Sequence, residues 1–134
     1  LLIENNVISK KKLKSFGENP FLFTRPEEIK DFFLKFGKSN NLGLLLDVAH
    51  LKVSSKTLGF DMYKAHKEIA KFTKGYHLSD NNGIKDSNQP FSENSWFWKN
   101  INKKAFFFTI EVYNVNIKTF FKLTNLIKKK LGTT

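Results

Sequence analysis

Four polar residues close or interrupt apolar runs: Glu4 after LLI, Asp47 after LGLLL, His77 within KGYHLSD and Glu111 after AFFFTI. Three carboxylates and an imidazole form a donor set for a hard or borderline divalent cation. If each run is a strand, the four side chains sit where successive strands end. In parallel sheets that is where ligands converge. The chain has no cysteine, so a metal must rest on oxygen and nitrogen, and a disulfide framework is excluded.

Each of these residues has more than one reading. Asp47 follows GLLL, which reads as buried, so its charge needs compensation. A cation, a helix N-terminus or a lysine would each supply it. His50 lies three residues on and can share a pocket with Asp47 from a tight strand-to-helix turn. There it would bind a metal, hydrogen-bond a substrate oxygen, or simply pack in a loop. His77 is either a ligand or a satisfied core histidine, and Asp80 could orient its second nitrogen or cap a turn. Glu4 and Glu111 form buried ion pairs with lysine, or they flank a substrate carbon. In the second case one takes a proton and the other returns one, while both touch the metal. His66, within KAHKEIAK, reads as a surface residue. Trp96 and Trp98 read as packing residues, with residues near 90–95 at the pocket edge. Lys52 or Lys56 would accept a phosphorylated or otherwise anionic group. There is neither a GxxxxGK[ST] phosphate loop nor a GxSxG elbow.

The elements that must position these residues alternate. Strands are expected over 1–4, 42–48, 74–79 and 105–112. Residues 7–24 read as irregular, with a small element around KKKLKSF. Thr24, with Glu27 three residues later, forms a capping-box pattern before Pro26, and Ile29, Phe32, Phe33 and Phe36 recur at helical spacing up to Gly37. Asp61 caps a helix running to about Phe72, with Tyr63, Ile69 and Phe72 near its buried face. Residues 80–92 read as a polar loop, and Ser92 opens a helix carrying Trp96, Phe97 and Ile101. A last helix covers about 116–131, with Phe120, Phe121, Leu123, Leu126, Ile127 and Leu131 apolar, and stops at Gly132. Strand–helix alternation implies an α/β fold with a parallel sheet and right-handed crossovers. Four units make half of a TIM barrel, which in full needs about 250 residues. The expectation is one domain over 1–134, the C-terminal half of a β/α barrel whose N-terminal half is absent. A lone half leaves two strand edges open, so self-association or pairing with the missing half is expected.

The net charge is +11, yet Arg25 is the sole arginine among 23 basic residues. Bidentate recognition of phosphate or guanine favours arginine, so nucleic acid is disfavoured as a partner and the lysines read as a solvated exterior. No apolar run is long enough to span a membrane. The N-terminus lacks a signal-peptide layout, and a cytoplasmic location is expected.

The stretches LLLDVAHLKVSSKTLGFD, YHLSDNNGIKDSNQPFSENSWFW and FTIEVYN resemble the C-terminal half of the xylose-isomerase-like β/α-barrel superfamily. That group includes sugar isomerases, ketose 3-epimerases, inosose dehydratases and apurinic/apyrimidinic endonucleases of the endonuclease IV type. The resemblance places the shared metal ligands on Glu4, Asp47, His77 and Glu111. It gives His50 a substrate contact, or a further metal in the endonuclease branch. That branch carries Asp-x-His where this chain has Asp86, Ser87 and Asn88, and an amide is a poorer zinc ligand than imidazole. The arginine that follows the histidine strand in 3-epimerases has no counterpart here. The resemblance therefore implies one divalent cation (manganese, magnesium, cobalt or zinc) and a sugar or sugar-phosphate isomerase or epimerase. Its intermediate would be enediolate-like, with Glu4, Glu111 and His50 as catalytic residues and His50, Asp86 and Asn88 near a second metal or the substrate. The alternatives are a metal-dependent apurinic/apyrimidinic endonuclease and a non-catalytic, barrel-derived binding module.

Overall fold

The computed structural model describes residues 1–37 and 41–132. Four strands, β1 (Leu2–Glu4), β2 (Gly43–Asp47), β3 (Thr73–Leu78) and β4 (Phe107–Ile110), form one sheet in the order β1-β2-β3-β4. Every pairing is parallel. The strands alternate with α1 (Lys10–Phe16), α2 (Pro26–Phe36), α3 (Val48–Leu58), α4 (Met62–Ile69) and α5 (Ile117–Leu131). This is the arrangement of half a TIM-like barrel, as the alternation predicted.

Strand parity sorts the side chains. Leu44, Leu46, Tyr76 and Leu78 are fully buried and pack with Ile29 and Phe33 of α2, Leu51 of α3, and Ala65 and Ile69 of α4. Glu4, Asp47 and His77 alternate with these residues and belong to the opposite face. One irregularity makes that face coherent. Leu44 pairs with Thr73 but Leu45 pairs with Gly75, so Lys74 is an extra residue in β3. Without this bulge Asp47 would stand opposite Tyr76; with it, Asp47 stands opposite His77.

Several elements differ from the sequence expectations. Helix α2 is preceded not by a Thr24 cap but by Arg25, whose N–H donates to Glu28 at 3.4 Å. Thr24 is buried, accepting from Asn19 at 2.7 Å and donating to the Phe21 carbonyl. The crossover after β2 holds two helices, and the first begins immediately after Asp47. The helix opened by Ser92 is a single 3-10 turn, Trp96–Asn100. Ser95 Oγ accepts from the Ser92 N–H at 2.9 Å and donates to Asp80, which offers the backbone a non-helical alternative. On α5 only Leu123 and Ile127 are buried. Phe120 and Phe121 are exposed, because the sheet ends at β4 and nothing covers that side among the described residues. Tyr63 is also exposed, whereas Trp96 is buried.

His66 is not on the surface; it is fully buried. Its ring lies 5.4 Å from that of Trp96, and Nε2 is 3.5 Å from the Tyr76 hydroxyl, while Nδ1 has no partner. Burial lowers its pKa to about 4. The unfolded chain therefore binds this proton more readily between about pH 4 and 6.5. The stability that His66 contributes is complete above pH 6.5 and is lost as pH falls toward 4. We expect urea melts of wild type and His66→Gln to diverge as pH rises across this window, by up to about 3 kcal/mol. A constant difference would assign His66 no proton linkage.

Candidate metal centre

Each strand delivers one side chain to a common point. Glu4 and Asp47 end β1 and β2, and His77 lies beside Asp47 on β3. Glu111 follows β4 directly, and its N–H continues the ladder by donating to the Leu78 carbonyl at 3.0 Å. One donor atom from each of Glu4, Asp47, His77 and Glu111 lies within 4.8 Å of all the others.

Protons are short in this cluster. His77 Nδ1 is 2.9 Å from Glu4 Oε1 and 3.0 Å from Glu111 Oε2. One ring N–H points at one acceptor. It is aligned on Glu4, and Glu111 Oε2 is left shielded from solvent without a hydrogen-bond partner. Asp47 divides its two oxygens. Oδ1 accepts from the His50 N–H at 2.8 Å and so caps α3, while Oδ2 is buried and unpartnered. The cap is one of the sequence readings for Asp47, and the second oxygen is left available to a cation. Burial pushes the Asp47 carboxyl up to about 7; His50 opposes the rise and Glu111 adds to it. Two orphaned carboxylate oxygens beside an imidazole and a third carboxylate are what a divalent cation would satisfy. The donor set fits such an ion.

His50 stands behind Asp47, not in the donor cluster. Nδ1 is 2.9 Å from the Asn5 carbonyl, and Nε2 is 3.1 Å from Asp86 Oδ2 and 3.8 Å from Asp47 Oδ2. Burial alone would lower its pKa, but the hydrogen bond to Asp86 and the charge of Asp47 raise it to about 9. At neutral pH the ring is an imidazolium, donating from Nδ1 to the Asn5 carbonyl and from Nε2 to Asp86. Asn88 is also outside the cluster. It adopts φ 43°, donates from Nδ2 to the Glu111 carbonyl at 3.1 Å, and accepts from the Tyr113 N–H through its own carbonyl. It braces the end of β4.

Two other expectations from the sequence change. Asp80 does not orient His77; it accepts from Lys52 at 2.6 Å and from Ser95 at 2.9 Å. Lys52 is therefore held in that pair, and Lys56 donates to the Asn82 carbonyl at 2.8 Å. The charge of Lys52 is met by Asp80, whereas Lys56 gives one of its three donors to a neutral carbonyl. Conversely, Asn5 went unrecognised. Its side chain pairs with the Asp47 backbone in both directions, accepting from N–H at 2.8 Å and donating to the carbonyl at 3.1 Å. The one available signal was a short polar amide directly after a strand-ending Glu.

No protein-family model matches the chain, and no curated protein matches it. The reading of the site therefore stands on its geometry.

Asn5→Ala is expected to cost about 1–3 kcal/mol in urea melts, since it strands two buried backbone groups, and to weaken manganese binding although Asn5 is not a ligand. The proton on Asp47 must leave before a cation binds. Manganese affinity, followed by isothermal titration, is therefore expected to strengthen as pH rises to about 7 and to level off above it.

Proposed function

We propose that the chain is the C-terminal half of a β/α barrel, within one domain, of a divalent-metal-dependent sugar or sugar-phosphate isomerase or epimerase. The reading draws on the likeness to the xylose-isomerase-like superfamily. The observation that carries it is the placement of Glu4 and Glu111 on either side of His77 Nδ1, at 2.9 and 3.0 Å. Two carboxylates at opposite ends of the cluster can serve a proton transfer between adjacent carbons. One removes a proton from the carbon next to a carbonyl, and the other delivers one at the neighbouring position. A bound divalent cation would polarise the carbonyl and stabilise the developing oxyanion.

The remaining groups hold this pair in place. Asp47 keeps Oδ2 directed at the cluster because Oδ1 is fixed by the helix cap. Asn88 sets the depth of Glu111 through its backbone carbonyl. Where the endonuclease branch carries a histidine this chain has Asn88, and an amide is a poorer zinc ligand than imidazole, which favours a single-cation sugar enzyme over a multi-metal endonuclease.

The test is metal stoichiometry together with solvent-deuterium wash-in. One manganese per chain is expected, with deuterium entering the carbon adjacent to the carbonyl of a sugar or sugar phosphate. Glu111→Gln and Glu4→Gln are each expected to lower the exchange rate by about 10²–10⁴-fold. A chain that binds no divalent cation would remove this reading. Turnover without wash-in would replace proton transfer by hydride shift.

A further inference from the structure

A cavity of ≈ 260 Å³ is lined by Val7, Ser9, Lys12, Lys85 and Asp86. Its walls come from the segment after β1 and the loop after β3, so it opens on the same end of the sheet as Glu4 and His77. Asp86 joins it to the metal centre: Oδ2 is 3.1 Å from His50 Nε2, which is 3.8 Å from Asp47 Oδ2. One imidazole ring thus separates a cavity wall from a candidate ligand. Lys52 is paired with Asp80, whereas among the described residues neither Lys12 nor Lys85 forms an ion pair; Lys12 Nζ lies 5.6 Å from the centroid of the Phe21 ring. The single carboxylate in the wall, Asp86, turns Oδ2 to His50 and leaves Oδ1 buried without a hydrogen-bond partner. Two uncompensated ammonium groups match the charge of a phosphomonoester, about −1.5 to −2 near neutral pH.

Resting on the isomerase reading, we infer that this cavity is the phosphate subsite for a sugar phosphate whose carbonyl end lies at the Glu4–Asp47–His77–Glu111 cluster. The ammonium groups of Lys12 and Lys85 hold the phosphate as point charges. Asp86 and His50 form the wall between the phosphate and the reacting end.

The test uses the whole chain, with inorganic phosphate, glucose 6-phosphate and a short single-stranded DNA as probes. In EDTA, phosphate and glucose 6-phosphate are expected to shift the amide resonances of Ser9, Lys12, Lys85 and Asp86. Lys12→Gln/Lys85→Gln is expected to weaken both by about tenfold or more. Lys64→Gln/Lys67→Gln serves as the control. It alters the separate ≈ 460 Å³ cavity between α2 and α4, and is expected to change neither affinity. With manganese present, glucose 6-phosphate is expected to tighten and inorganic phosphate, too short to reach both sites, is not; by linkage the sugar phosphate tightens manganese equally. Equal weakening in the control pair would overturn the subsite in favour of a diffuse lysine atmosphere. Binding of DNA but not of glucose 6-phosphate at these residues would overturn it in favour of a nucleic-acid surface. Manganese and sugar phosphate binding without mutual effect would overturn the bridging role. Failure of the isomerase reading shows differently, as no manganese binding while phosphate still binds at Lys12 and Lys85; that result supports the anion site and overturns its link to the cation.

Discussion

Three carboxyl groups meet one imidazole at the sheet tip, and there Asp47, buried and crowded by Glu111, holds its proton up to about pH 7. Like charges at this separation are unfavourable unless something neutralises them. Much of the local structure holds them there regardless. The extra residue Lys74 brings His77 level with Asp47. Asn5 ties the ends of β1 and β2 together through the Asp47 backbone. Asn88 fixes Glu111 from a loop. These contacts hold together a donor set that could coordinate a divalent cation.

A second layer of charge lies behind the first. The His50 imidazolium sits between Asp47 and Asp86, and so moderates the negative potential of the cluster without entering it. Lys52, Asp80 and Ser95 form a separate chain that fastens α3 to the loop after β3. Among the lysines near the sheet tip Lys52 is neutralised by Asp80, while Lys12 and Lys85 line a cavity without an ion pair among the described residues.

The four cluster residues were legible because a buried strand reads as a continuous apolar run, and the first polar residue after it marks where the sheet emerges. Asp47, after the buried Leu44 and Leu46, shows this most clearly, whereas Glu111 follows an apolar run that is largely exposed at the sheet edge. The caps at Asp61 and Gly132 were legible for local reasons of the same kind. Other features depend on partners distant in sequence. His66 is flanked by Lys67 and lies in a polar helix, and only contact with Tyr76 and Trp96 buries it. Asn5 acquires its role from a backbone 42 residues away. The bulge at Lys74 leaves no sign in KFTKGYHL, because β-branched and small residues suit either register. Ser92 and Ser95 carry helix-start chemistry, yet their hydroxyls close a turn instead. Phe120 and Phe121 continue an apolar pattern on α5 beyond the last strand available to cover it.

The loop between β3 and the 3-10 turn touches almost every part of the site while contributing no member of the cluster. Asp80 grips α3, Asp86 holds His50, and Asn88 supports the Glu111 backbone. Ligand supply and adjustment are thus carried by different segments: strand tips supply the donor groups, and this one stretch sets their spacing and charge. Substitutions in the loop alone would therefore shift the cluster while the strands stay as they are.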